Sequence, residues 1–131
     1  MIVDALRARH AVVATGAFVT AGIVSGAATS RPGDTVDVTG RPSVGIRVLV
    51  QAPPWQPLRE IRIYQGRELI RTIALDPAAT GTIRHESVVT VPTPTADTFW
   101  VVRVEPAGRG TPVLGDSLPS FTNPLFATVT P

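Results

Sequence analysis

Few residues in this chain could carry catalysis. Its 131 residues hold two histidines, ten carboxylates and no cysteine, and all twelve basic residues are arginine. Without cysteine there is no disulfide framework, no thiol nucleophile and no Cys-ligated zinc. Without lysine there is no phosphate-binding loop of the GxxxxGK[ST] kind, and neither Ala14-Thr15-Gly16-Ala17 nor Gly108-Arg109-Gly110 supplies one. The histidines, His10 and His85, fall in different elements and form no His-x-His or HExxH spacing, whereas a hydrolytic metal centre needs about three converging N/O ligands. In Arg84-His85-Glu86-Ser87, strand alternation puts His85 and Ser87 on one face. That spacing is compatible with a base–nucleophile pair, but the better reading is a half-exposed histidine on a strand. Asp34 and Asp37 are too sparse for a DxDxDG calcium loop and read as turn residues. No cofactor is implied, and the chain is not expected to be an enzyme on its own.

Trp55, Tyr64 and Trp100 are the large amphipathic aromatics. On an exposed sheet they could form a platform on which sugars stack. Alternatively, Trp100 is core, flanked by Phe99, Val101 and Val102, and Trp55 plugs one end of the fold.

The elements that must position these residues are short. Eleven glycines and thirteen prolines in one domain's length argue against a helical bundle. Only Met1 to His10 has helical periodicity, with Ile2, Val3 and Leu6 on one side and His10 closing the last turn, where its ring suits the helix dipole. The apolar run from Ala11 to Gly26 is rich in Val and Thr and suits strands. Residues 11–28 also have the outline of a secretory signal, with Arg7 and Arg9 before them, although Asp4, Thr15, Gly16, Thr20 and Gly22 interrupt that pattern. They are too broken for a membrane span. Val44, Ile46, Val48 and Val50 alternate cleanly, with Leu49 the exception. Gln65-Gly66 marks a hairpin between the strands around Ile61–Tyr64 and Glu68–Leu75. Further strands are expected at Thr35–Val38, Thr82–Val91, Phe99–Val104 and Leu125–Val129. Pro-rich loops fall at 52–57 and 92–95, and a Gly/Pro loop from Ala107 to Pro119.

The spacing predicts an all-β fold, an Ig-like antiparallel β-sandwich of about eight strands with a short N-terminal helix. Net charge is only +2, with the arginines dispersed about one per strand, so no nucleic-acid face is expected. With 17% charged residues, part of the surface is expected to be covered in its native setting. The residues leave the compartment open, with a slight lean to the cytoplasm over a secreted or periplasmic setting.

Four segments together resemble a known family. Asp4-Ala5-Leu6-Arg7-Ala8-Arg9-His10-Ala11-Val12-Val13-Ala14-Thr15-Gly16-Ala17-Phe18 is similar to the "DALRxGRxxxTxGPF" stretch that ends the catalytic domain of CehA/McbA-like metallohydrolases of the PHP type. Ala52-Pro53-Pro54-Trp55-Gln56-Pro57, continuing to Glu68, resembles the "APxWxPVDRVEVYVNGE" hairpin of that family's C-terminal β-sandwich extension. Phe99 to Val104 is similar to its "WxVVxVEG" strand, and Phe121-Thr122-Asn123-Pro124-Leu125-Phe126 to its "AFTNPIF" motif. Ala17 stands where the family has proline, and none of the family's metal ligands has a counterpart here.

The resemblance implies a bacterial, non-catalytic accessory sandwich whose function is interaction. Residues 1–10 would be the residual helix of a preceding domain and 11–131 the sandwich. Its partner would be a PHP-type catalytic domain, or a second copy, met through the N-terminal helix and an exposed apolar seam. Thr15, Gly16, Asn123 and Pro124 are expected to be structural, with the Asn123 amide tying down the loop from Ala107 to Pro119. The alternative function is a carbohydrate or cell-surface binding module using Trp55, Tyr64 and Trp100.

Overall fold

The structure, a computed structural model, describes residues 1–108 and 118–131. Helix α1 (Ile2–Arg7) is followed by β1 (Val12–Val13), β2 (Phe18–Ser25), β3 (Ala28–Thr29), β4 (Thr35–Asp37) and β5 (Ser43–Gln51). Then come β6 (Leu58–Gln65), β7 (Glu68–Ala74), β8 (Ile83–Pro92), β9 (Thr98–Pro106), β10 (Ser120–Thr122) and β11 (Leu125–Thr128). These are the strands of an all-β sandwich, eleven among the described residues where the sequence suggests about eight. The excess is β1, β3 and β10, at two or three residues too short to show any periodicity.

Two sheets face each other. One is built around β9, which pairs with β6 along one edge and with β10 and β11 in turn along the other. β7 continues this sheet beyond β6, β1 pairs with β10, and β4 pairs with β11, parallel where all the other pairs are antiparallel. The second sheet has the order β3-β2-β5-β8. The period of two then fills the space between them. Val19, Ala21 and Ile23 of β2 point inward with Val44, Ile46, Val48 and Val50 of β5. They meet Ile61 and Ile63 of β6, Trp100, Val102 and Val104 of β9, and Leu125 and Ala127 of β11. Leu49, out of phase in the sequence, is turned to the outer face between Val48 and Val50.

The helix stops at Arg7, short of His10, because Arg9 adopts a left-handed φ of 63°. The apolar run after it is divided between β1 and β2, and of its side chains Ala17, Val19, Ala21 and Ile23 are core. No helix among the described residues is long and apolar enough to cross a membrane. β9 runs on to Pro106, past the expected end at Val104. Of the expected loop from Ala107 to Pro119, residues 109–117 lie outside the described residues, Asp116 with them.

One close approach sets the shape of the second sheet. The chain after β3 folds back on β2, where Ser30 accepts from the Ile23 N–H through its Oγ (2.8 Å) and donates its own N–H to the Ile23 carbonyl (3.0 Å). Gly22 permits this, because a Cβ there would strike the Ser30 backbone carbonyl. Gly22→Ala should therefore lower the urea midpoint, costing roughly 2 kcal/mol or more through the displaced backbone. An unchanged midpoint would show that the β2–β3 turn yields freely.

Candidate functional site

The most heavily built feature outside the core is the joint between α1 and the sandwich. It forms where β10 gives way to β11. Phe121 pairs with Arg103 and Leu125 with Trp100, so four steps along one strand oppose three along β9. The extra residue lies at Asn123-Pro124, a β-bulge. Into this gap comes the segment Arg9–Ala11. The Asn123 side-chain amide donates to the Arg9 carbonyl (2.8 Å) and its backbone N–H to the Ala11 carbonyl (3.1 Å). Gly33, at φ 93°, donates its N–H to the Pro124 carbonyl (2.8 Å) and lies so close to Arg9 that a Cβ would collide with the Arg9 backbone. The Arg9 guanidinium lies 4.7 Å from the centroid of Phe126. His10 Nε2 meets Asp34 Oδ1 at 2.6 Å, and Asp34 Oδ2 accepts the Arg31 N–H at 2.8 Å. The Arg31 N–H, helped by the His10 ring, holds the Asp34 carboxyl below its usual range against the opposing effect of burial.

Thr15 and Gly16 brace the next turn. Thr15 donates its hydroxyl to the Leu118 and Pro119 carbonyls (both 2.9 Å) and its N–H to Ser120 Oγ (3.1 Å). Gly16, at φ 114°, leaves room for the buried side chain of Gln56. The described partner of the Asn123 amide is thus the N-terminal elbow, where the sequence suggests the loop from Ala107 to Pro119.

The elbow holds out a helix that touches little. α1 has no buried residue, and Ile2 and Leu6 are 79% and 61% exposed. Beside its root, the outer face of the β9 sheet presents Val13, Phe99 and Phe121, also partly exposed. These residues make one discontinuous apolar surface around a fixed joint.

The chemistry-bearing residues are placed otherwise. His85 and Ser87 do share a face, the inner one, and His85 Nε2 lies 2.6 Å from Ser87 Oγ. Burial pushes the His85 pKa below its ordinary 6.5, so the ring is neutral and suited to accept from the hydroxyl. No carboxylate among the described residues bonds the other ring nitrogen, so the orienting third member of a triad is missing. His10 and Asp34 make two donors without a third, and no group of three or more metal-binding side chains gathers among the described residues.

The three aromatics do not assemble. Trp100 is fully buried between the sheets, with its indole N–H directed at Gln65 Oε1 (3.3 Å), so it is core and unavailable to a ligand. Trp55 is 55% exposed in the β5–β6 loop. Tyr64 is half-buried near the far end of β6, roughly 20 Å along the strand from its start. A sugar ring could meet only one of them at a time. The remaining charges form a network on the outer face of the β9 sheet, where Glu60 and Glu105 are register partners. Arg62 answers Glu60 through two nitrogens (2.6 and 2.7 Å), and Arg103 pairs with the buried Glu105. This network neutralises itself. The elbow is what reading the sequence for chemistry overlooks, because His10, Asp34 and Asn123 are distant in the chain.

No family model, curated protein or solved structure matches this chain.

Asn123→Ala should cost about 0.5–1.5 kcal/mol, the range for a single hydrogen bond. It should also speed amide exchange at the α1 root, Ala8 to Ala11, more than in β5. Uniform exchange across the two segments would remove the elbow's special role. The His85 environment makes a pH prediction. A histidine whose folded pKa is lowered contributes stability that is complete above its unfolded value near 6.5. That contribution is lost as pH falls, because the unfolded chain then binds the proton first. Thermal midpoints should decline from pH 7 to pH 5, and His85→Gln should flatten the decline; an identical slope in the variant would refute the assignment.

Proposed function

We propose that this chain is a non-catalytic accessory sandwich, immunoglobulin-like in arrangement, that docks on a metallohydrolase domain of the PHP type through α1 and the apolar surface around its root. One observation carries this reading. The sandwich commits a left-handed Arg9, the Gly33 approach, an Asn123 amide, a cation–π contact and the His10–Asp34 pair to fixing the direction of a helix that has no buried residue. A six-residue helix is not stable by itself. A rigid mount for it makes sense when the helix is delivered to a partner, since preorganisation cuts the entropy that binding must overcome. The sequence resemblance supplies the class of partner, because its first segment is similar to the end of the catalytic domain in that family.

The test is co-expression with a CehA/McbA-like catalytic barrel. The two should elute together from a sizing column in equal amounts. Ile2→Asp with Leu6→Asp should abolish co-elution while shifting the chain's own stability by no more than about 0.5 kcal/mol, as expected for exposed positions. The purified chain should neither bind manganese or zinc stoichiometrically nor hydrolyse p-nitrophenyl phosphate. Self-association of the chain in place of co-elution, or metal-dependent turnover that survives purification, would overturn the proposal.

A further inference from the structure

A pocket of about 300 Å³ lies under the elbow, where the segment from His10 to Val12 passes over the start of β2 and the turn before β4. That volume is at the lower end of the range for small-molecule sites. Its walls are apolar: Val12, the ring of Phe18 and the buried Pro32. Three polar residues, His10, Thr20 and Arg31, complete its lining, and the His10 ring is taken up by Asp34.

The charge arrangement gives this pocket a direction. Asp34 is the acidic neighbour of Arg31, but both of its oxygens are engaged. Oδ1 is held by His10 and Oδ2 by the Arg31 backbone N–H. Among the described residues no group hydrogen-bonds the Arg31 guanidinium, and none bonds the Thr20 hydroxyl. Arg31 acts on Asp34 only through space, so an apolar cleft lined by a guanidinium that no described group hydrogen-bonds is complementary to a molecule with an apolar body and one planar anionic end. A carboxylate matches the guanidinium fork with two parallel hydrogen bonds.

We propose that this pocket binds a small organic carboxylate, with its aryl or branched body against Phe18, Val12 and Pro32 and its carboxylate on Arg31. Thr20 donates a further hydrogen bond to the same end. Phe18, Thr20 and Arg31 lie outside α1, so the site can be tested on the chain without any partner of the helix.

The probe is 3-phenylpropanoate, with the neutral 3-phenylpropanamide as its partner of equal shape. In amide-resolved NMR titrations of the full chain, the acid should shift the resonances of Val12, Phe18, Thr20 and Pro32's neighbour Gly33. It should bind at least tenfold more tightly than the amide. Arg31→Met, at an exposed position that leaves the fold intact, should erase that preference and bring the acid to the affinity of the amide. Phe18→Ala should weaken both compounds alike. Equal affinity for acid and amide in the unaltered chain would overturn the proposal. So would shifts centred away from this pocket, or no shift at tens of millimolar acid.

Discussion

The single extra residue at Asn123-Pro124 is the constraint from which the rest of the molecule's periphery follows. A continuous strand beside β9 would present one unbroken row of backbone groups. The bulge divides it into β10 and β11, which recruit different neighbours, β1 on one side and the parallel β4 on the other. Proline at the break holds Asn123 extended and removes a donor that the interrupted ladder could not use. The N–H groups on either side are redirected: Asn123 to the Ala11 carbonyl and Phe126 to the Asp34 carbonyl. In this way the chain's first dozen residues and the turn at Gly33 are both anchored to one point of the sheet.

The inner architecture depends on alternation and very little else. Every inward position of β5 is a β-branched aliphatic, with Val44, Ile46, Val48 and Val50 all fully buried. Such side chains have little χ1 freedom to lose in a strand. Trp100 supplies bulk at the centre while keeping its one polar atom near Gln65. The open β8 edge of the second sheet is guarded by residues of both sheets. Arg71 donates to the Thr90 carbonyl of β8 (3.2 Å), Pro92 ends the strand, and Arg84 is drawn aside onto the Pro53 and Gln56 carbonyls. A strand edge blunted in this way resists pairing with another chain. Association through the edges is thereby disfavoured, and the apolar surface around α1 stands out the more.

How much of this could be read from the sequence depended on the range of the interaction. β5, β6, β9 and the Gln65-Gly66 hairpin were legible because a period of two and a turn signal are local facts. β1, β3 and β10 were not, since two or three residues carry no period; they exist because a neighbouring strand offers partners. Trp100 illustrates the limit for a single residue. Its flanking apolar residues suit a core position as well as an aromatic platform, and only the opposite sheet decides between them. Asn123 shows the same for a polar group: its place before proline indicated a structural role, but its acceptor is 114 residues away. The His85–Ser87 pair was legible as a spacing, while its turn toward the interior and its neutral ring belong to the fold.

The elbow also explains how a chain with so little charge can carry a directed surface. Rigid presentation normally comes from packing, but α1 has no core to pack against. The restraint is transferred to its root, where contacts of different kinds converge on three residues. A cation–π contact, a charged pair and hydrogen bonds respond differently to salt, pH and temperature. No single change of conditions removes all of them. The pocket beneath the same segment is a consequence of that geometry. Holding Arg9–Ala11 against the bulge lifts the chain over Phe18 and Pro32, and with the Asp34 oxygens taken by His10 and the Arg31 N–H, no described group hydrogen-bonds the Arg31 guanidinium.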